Sequence, residues 1–464
     1  MVFSSLIFLW LFLPIVFVLN CLIKPQYSNG LLLAASLFFY AWGEPHFVFL
    51  IMISIVFNWY IGKKIEGASK HGHIILTLGI LFNLTLLGFY KYMGFAIKII
   101  NSLWQKDILP VLEIDLPIGI SFFTFQAIAY IVDIYRGESK AQYKLVNTAL
   151  YISFFPQLIA GPIVKYKDIS QQIERRIITY NGVALGFRRF IYGLSKKVLI
   201  SNVLGKSADI IFDMDVTTIS GTMAWIAALF YTFQIYYDFS GYSDMAIGLG
   251  KMFGFDIPEN FNYPYMAKTV EEFWRKWHIS LGTWFKEYVY IPLGGNRKGR
   301  VKTYKNLFVV FLLTGLWHGA NFTFIIWGGV YGLLIIIEKM GLLRLLNKSK
   351  VISHIYLFFV VILGWVIFRI DNLKKGLLFI KRMIMPWIYT DYDISFWKYG
   401  SNMTIFIFIC AILGMGIVQQ IVTPKIKNIW RFSIWEFIYC SITLIMCLAA
   451  MAGNEYNPFI YFQF

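Results

Sequence analysis

Long apolar runs, separated by short polar segments, recur along the whole chain. Many of these runs reach or approach the roughly 20 residues that an α-helix needs to cross a bilayer. They lie at about 3–23, 30–43, 47–62, 74–92, 115–134, 146–164, 221–249, 305–337, 354–369, 403–422 and 434–452. The pattern predicts an all-α integral membrane protein that crosses the bilayer many times.

Gly and Pro interrupt several of the runs, as in AWGEPHF after residue 40, LPIGISF from Leu116 and FPQLIAGPI from Phe155. Non-helical backbone at membrane depth needs protein or water around it, because lipid cannot satisfy its polar groups. We therefore expect re-entrant segments and an internal cavity within a single polytopic domain, residues 1–464. The chain shows no internal repeat like those of many transporters.

Two segments are amphipathic and are predicted to lie at the membrane interface instead of crossing it. In Asn181–Asn202, basic pairs alternate with apolar residues, and Glu271–Tyr288 is rich in Trp and cations. If the second segment is helical, its apolar side chains fall within an arc of roughly 120°. They are Phe273, Trp274, Trp277, Leu281, Trp284, Phe285 and Tyr288. Such a helix is typical of the membrane boundary.

The composition agrees with this interpretation, since 58% of the residues are hydrophobic and only 14% are charged. The net charge of +17 comes from Lys and Arg clusters between the apolar runs, as the positive-inside bias predicts, so nucleic-acid binding is not indicated. The first run has no basic start and no cleavage site. We expect an uncleaved first span with Lys24 near the cytoplasm, which in a bacterium means the inner membrane.

Motifs for common bound groups are missing from the sequence. The four cysteines have no CxxC or His-rich spacing, so neither a zinc site nor a disulfide framework is indicated. The loop Tyr290–Lys305 joins Gly-Gly to a run of cations but lacks the spacing of a phosphate-binding P-loop. We expect no metal and no bound cofactor.

Two histidines have unusual surroundings. His318 lies in an apolar run between Trp317 and Gly319, and His278 lies at the edge of the aromatic stripe of Glu271–Tyr288. Ionisable groups within a membrane are costly and are usually functional, although a lone histidine can also form an ordinary interhelical hydrogen bond. Burial disfavours the charged imidazolium, and a neutral imidazole is a competent general base at pH 7.

On this interpretation His318 is the base, and His278 positions or polarises the reactants. The small residues beside His318 would let another group approach its ring closely. Asn321 lies one turn further on and could orient the imidazole or a substrate, and Trp317 is a further candidate substrate contact.

Two acidic residues and a basic loop are further candidates. Asp238 and Asp244 lie in a Tyr- and Gly-rich apolar segment, where they could form a cation site or contact substrate. The alternative is that they bond to nearby hydroxyls and cap helices. Arg297 and Lys298 belong either to an ordinary cytoplasmic loop or to a docking surface for an anionic acyl donor.

The sequence resembles the membrane-bound O-acyltransferases, and most closely their bacterial branch of alginate, peptidoglycan and cell-wall polysaccharide acetyltransferase subunits. The resembling stretches are MVFSSLIFLWLFLP, LPIGISFFTFQAIAYIVDIYRG, FFPQLIAGPIVKY, YYDFSGYSDMAIGLGKMFGF, NFNYPY, FWRKWHISLGTWFKEYVYIPLGGNRKG, LWHGANFTFIIWG and PFIYFQF. Residues 338 to about 450 carry no such stretch.

The resemblance implies a ring of tilted helices around a thin centre, with His318 as the catalytic histidine and His278 as its partner. It implies transfer of an acyl group, usually acetyl, from a cytoplasmic donor towards the outside. The presumed donor is acetyl-CoA, whereas the D-alanyl relatives use a carrier-protein thioester. An SGNH- or GDSL-type extracytoplasmic enzyme usually completes the transfer in this branch.

The C-terminal aromatic motif, residues 457–464, has two interpretations. Composition alone indicates an anchor at the membrane interface. The resemblance instead implies that Tyr461 accepts the acyl group and passes it to the partner enzyme.

Two rival functions remain open at the level of sequence. A transporter or flippase could move a polar substrate without covalent chemistry, and an acyltransferase could modify a lipid or a protein instead of a glycan.

Overall fold

The computed structural model describes residues 1–68, 70–388, 400–418, 434–453 and 456–459. This part of the chain is built from helices, and its only strand-like pairing is an isolated antiparallel bridge between Phe261 and Trp277. The predicted all-α membrane class is confirmed.

Five helical stretches are long and apolar enough to cross a bilayer, judged by length and composition over the described residues. They are Val48–Glu66, Gly72–Trp104, Phe322–Leu346, Lys350–Arg369 and Ile434–Gly453. Shorter apolar helices are Phe8–Leu22, Ile120–Tyr135 and Asn402–Ile417. In the last of the long stretches only 17% of the apolar window is buried inside the protein, as expected of a surface that faces lipid.

The chain divides into two compact units, the first formed by Met1–Phe190 and Ser243–Pro258 and the second by Ile191–Tyr242 and Glu259–Phe464. The helices up to the first boundary are α1 (Leu13–Leu22), α2 (Pro25–Gly43), α3 (Val48–Glu66), α4 (Gly72–Leu87), α5 (Met93–Trp104), α6 (Ile120–Tyr135), α7 (Leu145–Ser153), α8 (Phe155–Leu158), α9 (Tyr166–Glu174) and α10 (Tyr180–Ser195). Two π-helical turns, Phe8–Phe12 and Gly88–Tyr92, extend α1 and separate α4 from α5.

In the first unit α6 forms the centre of the core. Every residue from Ile120 to Ile134 is buried, and the helix packs against both α3 and α4. Those two neighbours are joined by paired amides, because the Asn58 and Asn83 side chains exchange hydrogen bonds of 2.8 and 3.1 Å. A buried amide pair of this kind satisfies its polar atoms without water.

The remaining helices are α11 (Asn202–Asp213), α12 (Gly221–Met252), α13 (Val270–Lys276), α14 (Ile279–Phe285), α15 (Gly299–His318), α16 (Phe322–Ile337), α17 (Leu343–Leu346), α18 (Lys350–Arg369), α19 (Leu373–Ile384), α20 (Asn402–Ile412) and α21 (Ile434–Gly453). Shorter π and 3-10 turns are Lys196–Ser201, Val216–Thr218, Pro264–Met266, Lys286–Tyr290, Glu338–Leu342, Pro386–Ile388 and Leu413–Ile417. Helices α10 and α12 each contribute residues to both units.

The apolar run 305–337, predicted as one segment, is two helices. Helix α15 ends at His318, the backbone is extended at Gly319, and α16 begins at Phe322. The Asn321 side chain explains the new start, because its oxygen accepts from the Thr323 N–H and so caps α16.

The amphipathic segment Glu271–Tyr288 is also broken, at His278, so the prediction that this histidine lies on a helix is wrong. His278 has φ of +47° and stands between α13 and α14. The strand-like residues before α13 cause the break. The Ile279 N–H donates to the Asn260 carbonyl at 2.9 Å, and the Lys276 carbonyl accepts from the Asn262 N–H at 3.0 Å.

Candidate active site

His318 is held at the end of α15 inside an aromatic box of the second unit. The centroid of its ring lies 4.9 Å from that of Trp317, 5.3 Å from that of Trp327 and 5.2 Å from that of Phe368. Each of these neighbours meets the imidazole at a steep angle, and His318 is only 6% exposed. The box therefore restrains the ring in one orientation.

The small residues beside His318 allow the close approach of a second helix, α16. A Cβ on Gly319 would strike the Phe324 ring, and a Cβ on Gly315 would strike the Phe324 carbonyl oxygen. Both contacts are made by α16, which folds back along α15. Glycine thus brings α16 close to the end of α15 that carries His318.

His278 is 2% exposed and is oriented by Asn260. Its Nδ1 lies 3.1 Å from the Asn260 Oδ1, which also accepts from the Ser280 N–H at 3.2 Å and the Ser280 hydroxyl at 2.8 Å. Since an amide oxygen only accepts, Nδ1 of His278 carries the proton, and in the neutral ring Nε2 is the basic nitrogen. Burial lowers the pKa of His278 well below its ordinary value, and the charge of a protonated His318 lowers it further.

Trp317 joins the two histidines. The centroid of its ring lies 5.9 Å from that of His278 and 4.9 Å from that of His318. On the other side of His278 the Phe239 ring of α12 approaches edge-on at 4.6 Å. Two imidazoles and an indole from separate segments of the chain therefore form one buried cluster.

Asn321 does not fulfil the predicted role of orienting the imidazole. Besides capping α16, its side-chain nitrogen donates to the Asp371 carbonyl at 2.9 Å. These two bonds hold the amide between backbone groups, and the alternative role of orienting a substrate stays a prediction. Trp317, in contrast, does contact both histidines, so its place beside a substrate remains a reasonable prediction.

The two aspartates of α12 pair with cations. Within the second unit Lys197 Nζ lies 2.6 Å from Asp238 Oδ1, and both side chains are at most 4% exposed. Within the first unit Arg189 contacts Asp244 at 2.6 and 2.8 Å. Both carboxylates lie inside α12 and do not cap that helix, and bonding to hydroxyls or capping of neighbouring helices stays a prediction. A role in substrate contact stays a prediction for both.

Arg297 and Lys298 lie in the exposed turn before α15. The turn requires glycine, because Gly294 and Gly295 have φ of +107° and +54°. Asn306 of α15 braces the turn by donating to the Gly295 carbonyl at 2.9 Å. The two cations are thus presented on an ordered loop, as a docking surface would require.

The histidine cluster falls within the part of the chain that matches a known family. Residues 136–372 match the sequence profile described as "MBOAT, membrane-bound O-acyltransferase family". This chain belongs to that family. The resemblance that the sequence motifs indicated is confirmed, and the protein is a multi-pass membrane O-acyltransferase.

Three relatives of this O-acyltransferase indicate its nearer branch. The chain is 46% identical to the probable alginate O-acetylase AlgI of Pseudomonas aeruginosa over 384 residues, which cover 81% of this chain and 73% of that protein. It is 38% identical to the peptidoglycan O-acetyltransferase of Helicobacter pylori over 422 residues, or 83% and 80% of the two chains. Identity to the teichoic acid D-alanyltransferase of Bacillus subtilis is 26% over 328 residues, or 62% and 78%.

Sequence reasoning missed two members of the site region in this O-acyltransferase, Asn260 and Lys197. Asn260 is separated from His278 by 18 positions, so no local pattern connects them. Lys197 had a weak signal, because it is the second of two adjacent lysines in an amphipathic segment. One face of such a helix must be buried, and a buried lysine needs a carboxylate partner.

The candidate relay residue Tyr461 lies outside the described residues. The four residues Tyr456–Phe459, which end two positions before it, are described, and all four belong to the second unit.

Proposed function

We propose that this O-acyltransferase moves an acetyl group from a cytoplasmic thioester donor across the inner membrane for O-acylation of an extracytoplasmic polysaccharide or peptidoglycan. The buried cluster His278–Trp317–His318 carries the proposal. Similarity to an alginate O-acetylase and a peptidoglycan O-acetyltransferase supports the acetyl group and the glycan acceptor. Membership of the acyltransferase family decides against a transporter without covalent chemistry.

His318 acts as the general base in the proposed reaction. The imidazole accepts the proton of a hydroxyl while that oxygen attacks the thioester carbonyl carbon. The carbon–sulfur bond breaks, the proton passes to the leaving thiolate, and the imidazole returns to its neutral form. One ester forms and one thioester is consumed, so no further reactant is required.

His278 polarises or positions the reactants in this scheme. Its bond to Asn260 fixes the orientation of the ring and leaves Nε2 as the nitrogen that can accept a hydrogen bond from them. Trp317 forms the wall that both imidazoles share. Arg297 and Lys298 bind the anionic part of the donor, either acetyl-CoA or an acyl carrier protein.

Tyr461 is the proposed acceptor of the first transfer. Its phenol would become an ester and would then yield the acetyl group to an SGNH-type partner enzyme outside the membrane. The resemblance of the motif PFIYFQF to the C-terminal motif of this acyltransferase branch supports the assignment.

A His318→Ala variant tests the proposal. Membranes that contain the variant are incubated with radiolabelled acetyl-CoA, and label is measured in glycan, lipid and protein fractions. Label in the glycan fraction should disappear in His318→Ala and persist in His73→Ala, which removes an exposed histidine at the start of α4. Undiminished glycan labelling in His318→Ala would refute the base assignment, and label confined to lipid would refute the glycan acceptor.

A further inference from the structure

Residues Tyr456–Phe459, which include the start of the C-terminal motif and which we call the tail, are bound to other residues of the second unit through a chain of contacts. The Tyr456 hydroxyl donates to the Asp209 carboxylate of α11. The other oxygen of that carboxylate accepts from Arg369 of α18 at 3.0 Å. One carboxylate therefore ties the segment to two helices.

The next two residues are held by the neighbouring turn. Asn202 donates to the Asn457 side chain at 3.3 Å, and Lys197 Nζ donates to the Pro458 carbonyl oxygen. The same ammonium forms the buried ion pair with Asp238. Lys197 thus connects the tail backbone to α12.

Phe459, the last described residue of the tail, is buried against the second unit. It is 6% exposed, its ring lies 4.7 Å from that of Tyr242, and the Lys197 ammonium lies 6.0 Å from its centroid. An anchor at the lipid interface would expose this side chain to lipid. The four consecutive residues Tyr456–Phe459 are instead bound to other groups of the protein. We call the polar residues that hold them the tail clamp, and they are Lys197, Asp209, Asp238 and Tyr456.

The clamp brings the tail near the histidine cluster. Tyr242, which packs on Phe459, lies three residues after Phe239, which packs on His278. Residues three apart on a helix are neighbours, separated by about 4.5 Å along its axis. Tyr461 follows Phe459 by two residues, and two residues span at most about 7 Å. The described part of the tail therefore ends about one turn of α12 from the residue that packs on His278, and Tyr461 is tethered within two residues of that point.

We infer that Lys197, Asp209 and Tyr456 are positioning residues for acyl transfer, which set where the C-terminal motif begins. The inference rests on the proposed relay at Tyr461. It also gives Asp238 a definite task, because this carboxylate holds the ammonium that binds the tail. Misplacement of a reactive group by about 1 Å can lower a rate by about 100-fold.

Two clamp variants test the inference. Tyr456→Phe removes the hydroxyl and keeps the ring. Lys197→Met/Asp238→Asn removes both charges together, because a single change would leave an uncompensated buried charge and could prevent folding. The matched control is Lys251→Met, which breaks the exposed ion pair with Asp256 in the first unit. Gel filtration in detergent confirms that each variant is folded.

The expected result combines kinetics with digestion of the C-terminus. In both clamp variants kcat for acetyl transfer should fall about 10- to 100-fold while KM for acetyl-CoA changes less than twofold, because the donor surface is untouched. Carboxypeptidase Y should stop at Phe459 in the parent protein and in Lys251→Met, and should continue past it in the clamp variants. A loss of folded protein would also lower the apparent kcat without changing KM, so kcat is expressed per molecule in the folded gel-filtration peak.

The failures of the inference and of the relay are distinguishable through Tyr461→Phe. If Tyr461→Phe is inactive while the clamp variants keep the parent kcat, the relay stands and the positioning role is wrong. Clamp variants that resist digestion like the parent also overturn the inference. If Tyr461→Phe keeps full activity, the relay itself is wrong, and the positioning role falls with it.

Discussion

Asn260 fixes the orientation and the tautomer of the His278 ring. Its side-chain oxygen accepts three hydrogen bonds, one of them from the imidazole. His278 itself has a left-handed backbone, with φ of +47°, which is costly for a residue with a Cβ. Backbone strain of this kind is typical of functional sites, where the surrounding structure enforces it.

Asn260→Ala should therefore lower both stability and activity. The change leaves the buried Ser280 N–H and the imidazole without their acceptor, and each unsatisfied group costs about 1–3 kcal/mol. Thermal unfolding in detergent should show the loss, and acetyl transfer should fall by at least about tenfold because the ring orientation is lost. Ser280→Ala is the control, since it removes one hydroxyl and leaves the bond from Asn260 to His278. Equal activity of Asn260→Ala and Ser280→Ala would contradict the orienting role.

The buried state of His278 predicts a dependence of stability on pH. Its pKa is well below the ordinary value of 6.5 in the folded protein, so below about pH 6.5 the unfolded chain binds a proton that the folded protein does not. The neutral His278 therefore causes no loss in the free energy of unfolding above the pKa of the unfolded chain. As the pH falls below that pKa, the free energy of unfolding declines by up to about 1.4 kcal/mol for each pH unit.

The apparent melting temperature between pH 7.5 and 5 measures this effect. The parent protein should lose stability over that range, and His278→Gln should show a flatter profile. His73→Ala, which removes an exposed histidine, should follow the parent. A His278→Gln profile that is parallel to that of the parent would mean that another group controls the acid transition.

At the scale of elements, the hairpin of α15 and α16 explains why an apolar run longer than a span carries a histidine. The length of the apolar run correctly predicts that residues 305–337 are largely helical. It does not predict the break after His318, because the break depends on Asn321 capping α16 and on the contact of Phe324 with Gly315 and Gly319. Such contacts between two helices have no signature in the periodicity of either one.

Gly315→Ala should disrupt this hairpin. A Cβ at this position would collide with the Phe324 carbonyl oxygen, which belongs to backbone and cannot rotate away. Overpacking of this kind costs about 1–3 kcal/mol and would move the end of α15 that holds His318. We expect a lower melting temperature and a large loss of acetyl transfer.

The control for the hairpin is Gly30→Ala. No heavy atom lies within 4 Å of a Cβ built at Gly30, which is inside α2. Alanine is the better helix former by about 1 kcal/mol, so Gly30→Ala should be neutral or stabilising. A loss of stability as large in Gly30→Ala as in Gly315→Ala would show that glycine flexibility, and not close packing, explains the effect.

For the whole molecule, the sequence correctly predicted the all-α membrane class and the acyltransferase family, while the contacts around the two candidate histidines depend on distant residues. Apolar runs predicted the helices because the bilayer imposes their length and composition. The contact of Lys197 with Pro458 joins residues 261 positions apart, and that of Arg369 with Asp209 joins residues 160 apart. No local pattern contains such pairs, so the tail clamp became visible only in the folded chain.

Because the net charge is +17, the whole molecule attracts an anionic donor, and this general attraction must be distinguished from binding at Arg297 and Lys298. Every exposed cation contributes to the attraction of an anionic donor, and this general attraction is screened by salt over about 8–10 Å at physiological ionic strength. The residues of a specific docking surface should contribute more to donor affinity than exposed cations elsewhere do. Arg297→Gln/Lys298→Gln should therefore raise KM for acetyl-CoA several-fold and leave kcat unchanged, since binding is lost equally from the ground and transition states.

Lys140→Gln/Lys144→Gln removes the same charge from another exposed segment and provides the comparison. If general attraction dominates, both double variants should raise KM to a similar extent, and the difference from the parent should vanish in high salt. If the turn before α15 binds the donor directly, its variant should retain a higher KM even at high ionic strength, because a hydrogen-bonded contact at close range is screened much less than a distant one. Salt titration of KM in the parent and in both double variants thus separates a docking surface from the charge of the molecule as a whole.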